Sequence, residues 1–179
     1  MQFDPRQTST PPAPVQPTGF FTGVQIRPII IGVVVDYIAT YAVTYAYFFI
    51  YLANELSKQG EVTADQIMEY MTSPEGLLIG FAIGVLGTAL GGLVAAIKAG
   101  KLEVKHGALV GFCSLILSFI EQSLQEETVP LPEWFRFVSV LAIIPAGALG
   151  GFVAQMFTGS VGNYRPGGGT GLGNQYNSR

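Results

Sequence analysis

The sequence predicts an all-α, polytopic membrane protein whose four transmembrane helices form two duplicated helical hairpins. Its composition is 49% hydrophobic and only 12% charged, whereas ordinary soluble domains carry about 25% charged residues. Residues 76–97 contain no charged side chain and, at ~1.5 Å per helical residue, can cross a hydrocarbon core of roughly 30 Å. Two segments that each end a predicted span are also similar to one another.

The first span, residues 28–53, follows an N-terminal segment, 1–26, that is rich in proline and has no helical period. Such a composition is typical of a disordered tail. A secretory signal is not expected, because its apolar core is about 7–15 residues long and this apolar run is longer. Pro28 occupies a first-turn position that favours a helix start.

An acidic connection, residues 54–75, follows the first span. Within it, Thr63 and Gln66 have the spacing of a capping box and predict a short helix at the membrane surface. The segment 73–75 (SPE) then supplies an N-cap, a first-turn proline and a carboxylate near the positive end of a helix. These signals predict the start of the second span, residues 76–97.

The third and fourth spans are predicted at residues 106–124 and 133–157. A short lysine-rich turn, 98–105, precedes the third span. Trp134 lies at the start of the fourth span, where an interfacial aromatic belt is expected. The glycine-rich segment 159–179 is typical of a flexible tail.

Lysine and arginine residues predict the orientation of the domain formed by residues 27–158. The turn 98–105 carries three lysines, whereas the connections on the other face carry only Lys58 before Trp134. Short loops rich in these residues stay on the cytoplasmic side of a membrane. Both termini are therefore expected in the cytoplasm, although Arg136 runs against the rule.

Glycines recur at helical spacing in the predicted spans. In the second span they follow one another every three or four positions, which places them on one side of a helix and lets a neighbouring backbone come close. We expect helix packing, as in a glycine zipper, at eight positions: Gly80, Gly84, Gly87, Gly91, Gly107, Gly111, Gly147 and Gly151.

The segments 89–100 (ALGGLVAAIKAG) and 148–159 (ALGGFVAQMFTG) match at seven of twelve positions. Both end a predicted span at the same membrane face, so we interpret them as an internal repeat of a helical hairpin. Two such copies keep the same orientation, as in parallel-repeat transporters. The alternative is that two glycine- and alanine-rich helices share a composition.

Polar side chains lie on one face of the first span and one face of the third. Among them, Asp36 stands out, because a carboxylate inside a bilayer costs roughly 2.5–3.5 kcal/mol on insertion scales and marks a functional candidate by default. The alternative is a hydrogen bond that only holds two helices together. The candidate binding face comprises Asp36, Tyr37, Thr40, Tyr41, Thr44, Ser118 and Glu121.

Three other groups have structural explanations that we prefer. Glu121 is expected near the far interface, too distant from Asp36 for a direct pair. His106 lacks the neighbouring ligand types of a metal site, so we expect it to cap a helix or contact lipid headgroups. The tyrosines of the first span could stack a cofactor, but such rows more often serve packing.

Several function classes are excluded or disfavoured. A net charge of −3 with scattered basic residues does not indicate a nucleic-acid partner. The single cysteine, Cys113, offers neither a disulfide nor a cysteine-based metal site. The sequence has no Walker loop, nucleophile elbow or zinc-protease motif. We therefore predict no catalytic residue, cofactor or metal; an enzyme with an intramembrane acid is a third alternative.

The strings GGLVAAIKAGK and HGALVG, within residues 91–111, resemble a signature of small prokaryotic four-helix membrane proteins of unknown function. In such proteins a glycine pair ends one span, and a basic turn followed by His-Gly opens the next. The resemblance covers these 21 of the 179 residues, around the turn of one hairpin. It implies a prokaryotic plasma or internal membrane, and it implies no activity.

Together these features predict a structural or interaction subunit, or a scaffold. Its partners would be the lipid bilayer and either further copies of itself, as a homo-oligomer, or a larger membrane complex, contacted through small-residue helix faces. The alternative is a small transporter or channel that uses the intramembrane polar face around Asp36.

Overall fold

The computed structural model describes residues 19–58, 60–124 and 131–158. Most of the tail predicted at 1–26, and the whole of 159–179, lie outside the described residues. Within them the chain forms α-helices and no strand: α1 (Ile26–Tyr47), α2 (Ala53–Ser57), α3 (Ala64–Thr72), α4 (Pro74–Ala99), α5 (Glu103–Leu124) and α6 (Glu133–Thr158), with a π-helical turn (Phe48–Leu52) joining α1 to α2.

Four helical segments are long and apolar enough to cross a membrane: Ile26–Glu55, Pro74–Ala99, Glu103–Leu124 and Glu133–Thr158. The first runs from α1 through the π-helical turn into α2. The predicted fold class is confirmed, since the described chain is helical and carries the four spans of a four-helix membrane protein.

The predicted helix starts are formed by the expected side chains. Thr63 and Gln66 cap α3 reciprocally: the Thr63 Oγ1 accepts the Gln66 N–H at 3.3 Å, and the Gln66 Oε1 accepts the Thr63 N–H at 3.0 Å. The Ser73 Oγ accepts the Gly76 N–H at 3.1 Å at the start of α4. At the other end of α4, Gly100 has a φ of 62°, a left-handed conformation that favours glycine.

α5 begins at Glu103 rather than at residue 106. Gly100 ends α4 abruptly, so the chain reverses within a very short connection. Glu103 then lies in the first turn of α5, where the helix dipole stabilises a carboxylate. The membrane face formed by this connection, with Lys98, Lys101 and Lys105, is called the basic face below; the face that carries α3 is called the acidic face.

The chain before α1 is more ordered than the sequence suggests. Within the segment predicted as a tail, the Thr22 N–H donates to the Gly19 carbonyl at 2.9 Å. The Lys105 Nζ donates to the Phe20 carbonyl at 2.8 Å. Residues 19–25 therefore form turns that pack against the basic face, and the prediction of a disordered tail is wrong for this part.

Small residues build the core of the bundle. α4 packs against both α1 and α6, and α5 packs chiefly against α6. Residues with no exposed surface lie towards the basic face, where the helices are closest: Ala95, Ala96, His106, Val110 and Ala154. The three alanines among them let the helix backbones approach each other, which is how helices associate in lipid.

Backbone contacts at glycines set the closest approaches. A Cβ built on Gly32 of α1 would lie 2.7 Å from the carbonyl oxygen of Gly91 in α4, and a Cβ on Gly111 of α5 would lie 2.5 Å from the carbonyl oxygen of Ile143 in α6. A larger residue would therefore push these helices apart. Five of the eight predicted packing positions contact a neighbouring backbone in this way: Gly91, Gly107, Gly111, Gly147 and Gly151. A sixth, Gly87, contacts the Thr40 side chain of α1 instead.

The prediction of packing at Gly80 and Gly84 is wrong. A Cβ built on either residue would meet no heavy atom within 4 Å. Both glycines instead line a cavity whose walls include Phe48 and Phe135. On the acidic side this cavity lies between α4 and its neighbours α1 and α6, and the close contacts of α4 glycines with α1 and α6 begin at Gly87.

The two hairpins use their matching glycine pairs differently. In the first hairpin, Gly91 faces α1 and Gly92 faces Gly147 of α6; in the second, Gly150 faces α4 and Gly151 faces α5. The sequence match therefore does not extend to the neighbours that each glycine contacts. The duplication itself stays a prediction from the sequence.

Candidate functional site

Asp36 is held by hydroxyl groups from three helices. The Ser114 Oγ of α5 donates to the Asp36 Oδ2 at 2.6 Å, and the Thr88 Oγ1 of α4 donates to the same oxygen at 3.1 Å. The Thr40 Oγ1, one turn along α1, donates to the Asp36 Oδ1 at 3.3 Å. We call Asp36, Thr40, Thr88 and Ser114 the carboxylate cluster.

Close helix packing brings the cluster together. A Cβ on Gly91 would lie 2.8 Å from the Asp36 Cβ, and a Cβ on Gly87 would lie 3.1 Å from the Asp36 Oδ1. α1 can therefore lie directly on α4 at these two glycines, which places the Thr88 hydroxyl within reach of the carboxylate. Glycine at these positions thus creates the site as well as the helix contact.

The cluster lies deep in the bundle. Asp36 is 4% exposed and lies ~15 Å along α1 from Ile26 at ~1.5 Å per residue, about halfway across a typical hydrocarbon core. No lysine or arginine occurs in the first span after Arg27, in 76–97 or in 106–124. The carboxyl group is therefore surrounded by neutral donors, without a countercharge from these segments.

Such an arrangement can hold a proton or a small polar solute. A hydroxyl can donate one hydrogen bond and accept others, so the cluster can serve either protonation state of the Asp36 carboxyl. Among the described residues, no group of three or more His, Cys, Asp or Glu side chains could hold a metal ion. The chemistry available here is therefore proton binding and hydrogen bonding.

Glu121 belongs to a second polar group. The Tyr41 hydroxyl donates to the Glu121 Oε1 at 3.2 Å, and the Tyr37 hydroxyl donates to its Oε2 at 3.5 Å. The Ser118 Oγ donates to the Ser114 carbonyl within α5 at 2.9 Å. The polar faces of α1 and α5 thus meet, but Asp36 and Glu121 take hydrogen bonds from different partners.

A cavity of about 340 Å³ lies between α1, α3, α4 and α6 on the acidic side. Thr44 and Gly84 line its inner part, about one helical turn from Thr40 and Gly87, which adjoin the carboxylate. The π-helical turn contributes Phe48 to the wall, and such wide turns are frequent at functional sites. The cavity therefore approaches the carboxylate cluster from the acidic face.

Two tyrosines meet beside this cavity. Tyr47 of α1 and Tyr70 of α3 both line it, and their hydroxyls are joined by a short hydrogen bond. Burial raises the pKa of Tyr70, and the hydrogen bond with Tyr47 raises it further. The Tyr70 hydroxyl is therefore neutral at physiological pH, and the contact ties the surface helix α3 to the first span.

The predicted binding face is divided by the structure. Asp36 and Thr40 join the carboxylate cluster; Tyr37, Tyr41 and Glu121 form the second group; and Thr44 lines the cavity. Thr88 was missed. Thr88 is the only residue with a hydroxyl group in the charge-free run 76–97. Whether that hydroxyl reaches Asp36 depends on how closely α1 packs against Gly87 and Gly91.

His106 caps the start of α1. Its Nε2 accepts the backbone N–H of Gln25 at 3.0 Å, and its Nδ1 lies 3.0 Å from the carbonyl oxygen of Leu102, to which it donates. The side chain is fully buried. Of the two roles expected for this histidine, the structure supports helix capping rather than headgroup contact.

No family model, curated protein or solved structure matches the chain. The resemblance of residues 91–111 to small prokaryotic four-helix membrane proteins therefore stays a prediction.

Proposed function

We propose that this chain is a small membrane transporter or channel in which Asp36 binds and releases a proton during the passage of protons or a small solute. The observation that carries the proposal is the carboxylate cluster itself. A 4% exposed aspartate lies about halfway along α1, in the first half of a spanning segment, with hydroxyl donors from three helices. Intramembrane carboxylates of this kind mark proton and ion pathways.

The cavity supplies the route to the cluster from the acidic face. Its volume of about 340 Å³ falls within the range of small-molecule sites, roughly 300–1,000 Å³. From Thr44 at its inner part, one further helical turn leads to Thr40, which donates to Asp36. A proton or small solute entering the cavity would pass the Tyr47 and Tyr70 hydroxyls before it reached Thr44 at the inner end.

The hydroxyl partners suit a group that changes charge. When Asp36 is ionised, Ser114, Thr88 and Thr40 donate to it. When Asp36 is protonated, its own O–H needs an acceptor, and any of these hydroxyl oxygens can accept it. Both states thus keep their hydrogen bonds, so neither requires a large rearrangement of the helices.

The test is proton flux into vesicles that contain the purified protein and a pH-sensitive dye. With a membrane potential as driving force, the wild-type protein should carry protons faster than protein-free vesicles do. Asp36→Asn should lose this flux while retaining helical content and a single elution peak. Asp65→Asn, the same change on the exposed surface helix α3, is the matched control and should behave as wild type. Wild-type flux in Asp36→Asn would refute the proposal.

A second candidate function is that of an interaction subunit. Most glycines predicted to contact partners are already used inside the bundle, but α1 presents a row of aromatic side chains outward. Tyr41, Tyr45 and Phe49 are stacked with centroids 6.4 and 6.3 Å apart, and all three are exposed. The Tyr41 hydroxyl is bonded to Glu121, so the feature that favours a helix partner, in a second copy or in a larger complex, is the exposed aromatic row with the Tyr45 hydroxyl on a spanning helix.

This candidate makes a different prediction in the same preparations. A scaffold should give no proton flux with either the wild-type protein or Asp36→Asn. It should also elute from a sizing column as an oligomer or with a partner, and Tyr45→Ala should reduce that size. A monodisperse monomer with proton flux favours the transporter.

We also propose that the basic face is cytoplasmic and that the membrane is the plasma membrane, or an internal membrane, of a prokaryote. The lysines at 98, 101 and 105 support the orientation, because positively charged short loops stay in the cytoplasm. The cavity would then open to the opposite compartment, from which protons or solute would enter.

A further inference from the structure

A second and larger cavity lies at the basic face, far from the carboxylate cluster. Its volume is about 1000 Å³, and it lies between the turn at Phe20 and Phe21, the α4–α5 connection, the first half of α5, and α6. Most of its lining is apolar, including Leu109, Phe112 and Ile144. Phe112 and Ile144 are also exposed on the outer surface of the bundle, so the cavity adjoins the space that acyl chains occupy.

One residue that lines this cavity carries a buried acceptor atom with no hydrogen-bond partner among the described residues. Glu103 lines the cavity and is 4% exposed, yet its Oε1 receives no hydrogen bond from any described residue. A buried polar atom left unsatisfied costs roughly 1–3 kcal/mol, and more when it is charged. Such atoms are rare in native proteins. A ligand with an N–H or O–H donor would satisfy it.

Two lysines beside Glu103 add positive charge. Lys101 is exposed at the rim, and Lys105 lies 5.0 Å from the centroid of the Phe20 ring. The Lys105 ammonium carries three donors, one of which goes to the Phe20 carbonyl. Lys101 and Lys105 thus offer N–H groups to an anion, close in sequence to Glu103, whose Oε1 lacks a donor.

We propose that this cavity binds an aminophospholipid of the phosphatidylethanolamine type. The phosphate would accept from Lys101 and Lys105, the primary ammonium would donate to the Glu103 Oε1, and an acyl chain would lie against Leu109, Phe112 and Ile144. A headgroup with both a phosphate and an N–H donor matches both charges. Phosphatidylcholine shares the phosphate but has no N–H donor, so it would leave Glu103 unsatisfied.

The test is native mass spectrometry of the detergent-purified full chain, incubated with phosphatidylethanolamine or phosphatidylcholine of identical acyl chains. The wild-type protein should retain phosphatidylethanolamine preferentially. Glu103→Gln should lose this preference, because it removes the charge that attracts the ammonium. Lys101→Ala, at an exposed position, should weaken retention of both lipids. Lys98→Ala, an exposed lysine outside the cavity lining, should leave retention and preference unchanged.

The proposal is overturned if the wild-type protein retains the two lipids equally, if it retains neither, or if Glu103→Gln keeps the preference. Stronger retention of phosphatidylglycerol than of phosphatidylethanolamine would also overturn it, because the lysines alone would then select the lipid. None of these outcomes depends on proton flux. The lipid-binding proposal and the transport proposal are therefore tested independently.

Discussion

At the scale of single residues, Asp36 is kept in the bundle by three hydroxyl groups rather than by a countercharge. Each donor comes from a different helix, so the carboxylate links α1, α4 and α5. Hydrogen bonds between membrane helices are worth about 0.6 kcal/mol on average and up to about 1.7 kcal/mol. The shortest of the three, from Ser114 at 2.6 Å, should lie near the upper end of that range.

Ser114→Ala is therefore expected to destabilise the bundle by about 1–2 kcal/mol, because it removes a donor to a buried carboxylate. The measurement is unfolding of the purified protein in detergent micelles. Ser123→Ala is the matched control: Ser123 lies on the same helix, is exposed, and donates only to the Phe119 carbonyl one turn back. Equal stability of the two variants would show that the hydroxyl at 114 does not hold Asp36.

Asp36 could be identified from the sequence, whereas Thr88 could not. A carboxylate in a long apolar run is conspicuous whatever its neighbours are. A threonine in a run of glycine, alanine and leucine has two possible roles. Its hydroxyl can donate a hydrogen bond to a carboxylate on another helix, or the side chain can simply pack without such a bond. Only the approach of α1 onto Gly87 and Gly91 decides between these two roles, and that approach is a property of the packed bundle.

At the scale of helices, the bundle is tight towards the basic face and open towards the acidic face. Glycine contacts join α4 to α1 and α6, and α5 to α6, over the tight part. Beyond Gly87, a cavity lined by residues such as Phe48 and Phe135 lies between the same helices. The sequence period identified the glycine side of α4 correctly, but it carried no information on where larger neighbours end the contact.

This division predicts opposite effects for the same substitution at two glycines. Gly147→Ala places a methyl group against the backbone of α5, 2.9 Å from the Gly111 nitrogen, and should destabilise the protein by roughly 1–3 kcal/mol. Gly80→Ala meets nothing within 4 Å and should be neutral or stabilise α4 by up to about 1 kcal/mol. Thermal unfolding in detergent measures both. Similar losses at the two positions would contradict the described packing.

At the scale of the whole molecule, the four spans were predictable and their arrangement was not. Length and hydropathy locate each span because every spanning helix must be long enough and apolar enough to cross the hydrocarbon core of the bilayer. Which helices become neighbours depends on side-chain shape along each surface. The matching pairs Gly91–Gly92 and Gly150–Gly151 illustrate this, since their sequences agree while their contacts differ.

The orientation gives a prediction for the intact cell. In a chain lacking its only cysteine through Cys113→Ala, new cysteines from Glu61→Cys and Lys101→Cys would report on the acidic and basic faces. An impermeant maleimide should label the first in intact cells and the second only after permeabilisation, because the basic face is expected inside. Labelling in the reverse order would place the termini outside.

The most direct test of the account asks whether Asp36 changes its protonation state inside the membrane. Infrared difference spectra of the lipid-reconstituted protein, recorded while the pH is stepped up and down, report the C=O stretch of a protonated carboxyl group. We expect a reversible band in the wild-type protein that Asp36→Asn removes and the exposed control Asp65→Asn retains. Spectra of Asp36→Asn identical to wild type at every pH would contradict the account, since Asp36 would then carry no exchangeable proton.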